Sequence, residues 1–246
     1  MRVEIENLSK RFGGLKALDS VSLVAHGGEV TALIGPNGAG KSTFLNCITG
    51  VVPIDEGKVT VDGAPLPSKP LGKLVELGIT RTFQNVRLFE SLTTLEHLVL
   101  ARYALRARAK VRAADQTRSV ESECLDILDR VGLRERAHTW PSELSYGERR
   151  RLEIARGLAI EPRLLLLDEP AAGSTRSEQA TLATLISAIA ASGTAVILVE
   201  HHMDLVARVA KNIVVLNFGQ VLMTGDINQV RSHPDVIAAY LGTSAH

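Results

Sequence analysis

Val30-Thr-Ala-Leu-Ile-Gly-Pro-Asn-Gly-Ala-Gly-Lys-Ser-Thr43 decides the fold. Val30 to Ile34 is an apolar run of strand length that ends at a glycine-rich turn, and Phe44, Leu45 and Ile48 follow at helical spacing. Between strand and helix, Gly35, Pro36, Asn37, Gly38, Ala39, Gly40, Lys41 and Ser42 fit the spacing G-x-x-x-x-G-K-[ST]. The glycines let the backbone bend tightly, so that successive N–H groups point into one concavity. The helix N-terminus adds the positive end of its dipole. This is the chemistry of a polyphosphate cradle running through Thr43, in which Lys41 reaches the β- and γ-phosphates and Ser42 holds Mg2+.

Such a cradle needs a metal-holding acid on a neighbouring strand. Leu164-Leu-Leu-Leu-Asp-Glu-Pro170 supplies one. Four leucines bury the strand, and Asp168 emerges at its carboxyl end, where open α/β sheets bind ligands. Glu169, one residue on, can polarise a water for in-line attack on a γ-phosphate.

Working outward, Ala195 to Val199 and Ile213 to Leu216 are further runs apolar at every position. Such runs suit parallel strands covered on both faces. Leu182, Leu185, Ile186 and Ile189 recur at helical spacing between two of them. Strand, helix, strand in this order predicts a doubly wound α/β core. The first 30 residues and Gly57 to Gly63 alternate apolar and polar residues, which predicts a flanking antiparallel sheet. Residues from about 93 to 160 read as a helical insertion, with Val120, Cys124, Ile127, Leu128 and Val131 in one stripe.

The 246 residues carry 28 basic and 27 acidic side chains, a net charge of +1. That balance argues against a general nucleic-acid binder, which needs a basic surface to neutralise phosphates. Two cysteines, Cys47 and Cys124, exclude a disulfide framework. No apolar run approaches the roughly 20 residues that span a bilayer. Glu4 and Glu6 stand where a signal peptide needs an apolar core. The expected location is cytoplasmic, with any membrane work done through a partner. Arg102, Arg106, Arg108, Lys110, Arg112 and Arg118 face a single acid, Asp115, in residues 102 to 118. This is read either as a solvated segment or as one lying near anionic lipid headgroups.

Taken together these motifs resemble the nucleotide-binding subunits of ATP-binding cassette (ABC) transporters. The specific element is Leu144-Ser-Tyr-Gly-Glu148, similar to the signature of that family. Ser145 and Glu148 also fit a capping box at a helix start, and the two readings coexist. The resemblance implies a P-loop NTPase (RecA-like) core with an antiparallel β subdomain, both within 1–92 and 161–226. It implies an inserted helical subdomain at 93–160 and a helical tail at 227–246. It implies ATP and Mg2+, and a head-to-tail dimer in which Ser145 and Gly147 face the γ-phosphate held by the other subunit. It also carries over Phe12 as the aromatic that stacks on adenine, against a plain core phenylalanine. Gln84 becomes a contact to Mg2+ and the attacking water, beside Ser42 and Asp168. His201 becomes the switch histidine at the γ-phosphate. A zinc site is the competing reading of His201 and His202, but adjacent histidines are poorly spaced for one metal.

Within the family, Arg81 to Phe89, Ala171-Ala-Gly173 and the tail His233 to Gly242 resemble the larger ATPase of branched-chain amino acid importers. The partners so implied are transmembrane permease subunits, a second ABC ATPase and, indirectly, an external solute-binding protein. The expected place is the inner face of the cell membrane, with permease docking near Val86 to Leu92. The alternatives are the ATPase of lipopolysaccharide export and a soluble ABC switch. Four positions depart from the pattern: Ser174-Thr175 where relatives carry Leu then Asn or Asp, His202 in place of Asp, and Glu148 in place of Gln.

Overall fold

The computed structural model describes residues 1–67, 73–108 and 119–241. It is an α/β fold built on two sheets. The larger runs in the order β10-β9-β3-β8-β7-β6. Its strands are β3 (Val30–Ile34), β6 (Ile79–Arg81), β7 (Leu164–Asp168), β8 (Ala195–Val199), β9 (Asn212–Asn217) and β10 (Gln220–Gly225). All pair in parallel except β10, which runs antiparallel on β9 at the edge.

The continuous apolar runs have a direct cause. Along β7, Leu164 and Leu166 pack with the second sheet and the helix after β3, whereas Leu165 and Leu167 pack with the helical insertion. In β8, Ala195, Ile197 and Val199 join the first group, and Val196 and Leu198 the second. Both faces are covered, so Leu164 to Leu167 and Ala195 to Val199 are apolar at every position.

The second sheet is antiparallel, in the order β2-β1-β4-β5. It contains β1 (Arg2–Phe12), β2 (Leu15–His26), β4 (Glu56–Val61) and β5 (Ala64–Pro65). Its inward residues, among them Val3, Ile5, Leu23 and Val59, share a core with Phe44, Leu45 and Ile48 of α1 (Lys41–Ile48). The insertion contains α2 (Thr94–Arg108), α3 (Val120–Arg130) and α4 (Tyr146–Leu158). The stripe on α3 is buried as its spacing requires, and Val131 just beyond it is buried too. After β7 come α5 (Arg176–Ala191), α6 (Met203–Val209), α7 (Ile227–Ser232) and α8 (Pro234–Leu241). Burial pushes both cysteine thiols up to about 11, so they act as core residues.

The basic run gains a local explanation at its start. Arg102 pairs with Glu123 and Glu161, each at 2.7 Å, and Arg106 pairs with Glu123 at 2.8 Å. These two side chains are mostly buried and fasten α2 to α3. They are neither a solvated nor a lipid-facing pair. The rest of the run, from Lys110 to Arg118, lies outside the described residues.

Four neighbouring parallel strands, β3, β8, β7 and β6, end along one edge of the larger sheet. Gly35, Glu200, Glu169 and Thr82 begin the loops beyond those ends. Residues far apart in sequence are thereby delivered to one place.

Candidate active site

The loop after β3 owes its course to glycine. Gly35 has φ +150, and a Cβ there would lie 2.2 Å from the Leu216 carbonyl oxygen. Gly40 has φ +106, and its Cβ would lie 2.7 Å from the Ala17 carbonyl oxygen. No other residue fits either position. Gly40 is also the N-cap of α1 and offers no side chain to its first turn. The first amide to bond back is that of Phe44, to Gly40 at 2.9 Å. The amides of Lys41, Ser42 and Thr43 are thus presented outward as donors for an anion. The Lys41 ammonium bridges the carbonyls of Gly35 (2.6 Å) and Pro36 (3.0 Å). Burial lowers its pKa, and the carboxylates of Glu169 and Asp168 oppose that shift.

This loop forms one wall of a cleft of about 450 Å³. Phe12, Leu15, Ala17, Asn37 to Thr43, Gln84, Glu169 and Phe218 are among the residues that line it. Phe12 is 49% exposed at the end of β1, so it is a wall of the cleft rather than a core residue. Pro36 faces a neighbouring recess beside α8.

Three candidate catalytic residues meet. The Gln84 amide donates to Glu169 Oε2 at 3.0 Å, and His201 Nδ1 lies 4.0 Å from the same oxygen. Glu169 sits at φ +47, a left-handed conformation that is costly for a side-chain-bearing residue. Its amide is tied to the Val199 carbonyl at 2.9 Å. Asp168 is almost fully buried, and its Oδ2 accepts from Arg81 at 2.8 Å. Arg81 also donates to Asn46 Oδ1 at 2.7 Å and so links β6, β7 and α1. In the sequence Arg81 opens the stretch Arg81 to Phe89, and a cation at a strand end is its one local mark.

The loop carrying Gln84 is held from α4. Arg150 donates to the carbonyls of Phe83 (2.7 Å) and Gln84, and Glu153 accepts the Phe83 amide at 3.2 Å. Arg150 and Glu153 were also missed, since two charges on a basic helix look like a solvated face. Both are buried.

Ser145 and Gly147 stand elsewhere in the same chain. They line a recess shared with Ser174, Ser177 and Glu178, outside the P-loop cleft. The capping box is formed: Ser145 Oγ accepts the Glu148 amide at 3.3 Å, and Glu148 Oε2 accepts the Ser145 amide at 2.8 Å. A Cβ at Gly147 would lie 2.6 Å from Glu178 Oε1, the end of a side chain that can move aside.

The Ser174-Thr175 departure has a local cause. Thr175 caps α5, with Oγ1 accepting the Glu178 amide at 3.3 Å and donating to Glu178 Oε2 at 2.8 Å. Thr175→Ala is expected to lower stability by about 1 kcal/mol, within the range for lost N-caps, as read by urea denaturation.

His201 and His202 do lie with Glu200 in a group whose ligand atoms fall within 4.8 Å of one another. Both Glu200 oxygens are already engaged by backbone amides.

Against this geometry the comparisons decide the family. Residues 18–172 match the family described as ABC transporter. The chain belongs to the ABC transporter family. This ABC ATPase is 40% identical to the high-affinity branched-chain amino acid transport ATP-binding protein BraF of Pseudomonas aeruginosa, over 98% of the chain and 97% of BraF. Among solved structures, the ADP conformation of MJ1267, an ATP-binding cassette of an ABC transporter, superposes with a TM-score of 0.87 at 31% identity, covering 98% of this chain and 99% of that one. The dimeric MJ0796, a bacterial ABC transporter cassette, superposes with a TM-score of 0.77 at 27% identity, covering 92% and 98%. As an ABC ATPase, the protein binds and hydrolyses ATP.

Proposed function

We propose that the protein is the ATP-hydrolysing subunit of an importer for branched-chain or related amino acids. It would work at the cytoplasmic face of the membrane, docked on transmembrane permease subunits and paired head-to-tail with a second ABC ATPase. An external solute-binding protein would deliver the substrate. The observation that carries this reading is the likeness to BraF across nearly the whole of both chains. The lipopolysaccharide-export and soluble-switch alternatives have no comparable support. No helix among the described residues is long and apolar enough to cross a membrane.

In the cleft, adenine would stack on Phe12, and the phosphates would lie on the amides of Gly38 to Thr43 with Lys41 at the β- and γ-phosphates. Ser42, Asp168 and Gln84 suit a Mg2+ ion. Arg81 takes Asp168 Oδ2 and leaves Oδ1 for the cation, and Ser42 opens α1 beside Lys41. Held by these three residues, Mg2+ would supply positive charge against the negative charge that develops on the phosphates. Glu169 would take the proton of the attacking water, with Gln84 holding its carboxylate and His201 at the γ-phosphate. Ser145 and Gly147 of a second subunit would close over the γ-phosphate.

A mild-detergent pull-down of the tagged protein from its native membranes, read by mass spectrometry, tests the reading. Two multi-span permeases and a second cassette ATPase are expected. Recovery only from the soluble fraction, without a polytopic partner, would overturn it.

A further inference from the structure

The residue before the switch histidine carries a carboxylate that the reaction scheme does not use. The Glu200 side chain is fully buried. Among the described residues no lysine or arginine pairs with it. Its hydrogen bonds come from three backbone amides, and the His202 and His201 Nδ1 atoms stand 3.8 and 4.0 Å from Oε2. Ala171 donates to Oε1 at 2.8 Å, and His201 and His202 donate to Oε2 at 3.0 and 3.1 Å. Taking a carboxylate out of water costs several kcal/mol, and charge-assisted hydrogen bonds are what can offset it. An apolar residue would fill this place without that cost, so the carboxylate has to supply something that packing does not.

What it supplies is a connection. The amide on Oε1 belongs to the turn that carries Glu169, two residues upstream of Ala171. The amides on Oε2 belong to the loop that carries His201. Glu169 is held at φ +47, and a strained residue keeps such a conformation only where its surroundings over-determine it. Its turn is tied to the end of β8 twice, by the Glu169 amide to Val199 and by the Ala171 amide to Glu200. We propose that Glu200 is a positioning residue that locks the Glu169 turn and the His201 loop into one unit, so that both side chains address the same γ-phosphate. The proposal rests on Glu169 acting as the general base.

Glu200→Gln is the test. The amide keeps one acceptor oxygen, but its NH2 group must face a backbone N–H whichever way it turns, so one of the two segments is released. Turnover is expected to fall about 10- to 100-fold, in line with the cost of small misplacements of a reacting group. The Kd for ATP should stay within about twofold, because Phe12, Lys41 and the loop amides are untouched. In a Glu169→Gln background the added loss should shrink to under about threefold, since residues acting as a unit are not additive. If E200Q does not fold, E200D serves. It keeps the charge but is one methylene too short to span both segments, and the same pattern is expected. Unchanged turnover, a parallel loss of ATP affinity, or an equal fold-loss in both backgrounds overturns the proposal. Undiminished turnover of Glu169→Gln alone would instead remove the general-base reading beneath it.

Discussion

Glu169→Gln is expected to lower ATP turnover by about 100- to 10,000-fold, the range for losing a general base, with ATP affinity unchanged. The substitution isolates the charge. Glutamine has the same length, so the left-handed turn at φ +47 faces no new steric demand. Its carbonyl oxygen can still accept the Gln84 amide that now reaches Glu169 at 3.0 Å. What it lacks is the lone-pair basicity to take a proton from water. The proposed ATP contacts are other groups: the amides opening α1, the Lys41 ammonium and Phe12. Phosphate release under steady state and a separate ATP titration check the two halves. Equal turnover in both proteins would remove Glu169 from the catalytic role and leave Gln84 and His201 gathered around a residue without a chemical task.

The parts of this protein legible in its sequence are those whose cause is local or repeated. Leu164 to Leu167 announce a doubly covered strand because both faces of β7 meet a core. Gly35 to Ser42 announce a phosphate loop because backbone geometry admits only glycine at Gly35 and Gly40. The short strand β6 escapes such reading. It has three residues, and its last, Arg81, carries a charge whose partner Asp168 lies 87 positions away. The edge strand β10 is only half-buried and leaves a faint pattern. Long-range pairs are silent for the same reason. Arg150 and Glu153 look like helix surface until Phe83 and Gln84 are brought against them. Thr175 is the opposite case. The Thr-x-x-Glu cap with Glu178 was written in four adjacent residues, yet comparison with relatives framed the position as a missing Asn or Asp. The local explanation is a helix start.

The position of the signature residues leads to the second large effect. In one chain, Ser145 and Gly147 line a recess distinct from the cleft that holds Lys41 and Glu169. On the proposed head-to-tail arrangement a complete site takes the signature of a second subunit, and where that subunit is another copy of this chain a two-fold dimer gives each copy one of each half. Gly147→Asp should abolish turnover, about 100-fold or more, for two reasons. A Cβ at this position lies 2.6 Å from Glu178 Oε1 and displaces the end of that side chain within the signature recess. The added carboxylate also places negative charge at a helix N-terminus that would otherwise favour a phosphate. ATP binding by the cleft of the same chain should persist. The decisive step is mixing this variant with Glu169→Gln. Each protein alone is inactive. In a mixed dimer one site carries both lesions and the other carries neither, because its Glu169 comes from one chain and its Gly147 from the other. Equal mixing makes about half the dimers mixed, so about a quarter of the wild-type number of sites is restored. Recovery of turnover on mixing would place Gly147 and Glu169 in one site from two chains. A mixture as inactive as its components, with dimers present at that concentration, would sink the shared-site arrangement and leave the recess around Ser145 without a phosphate to face.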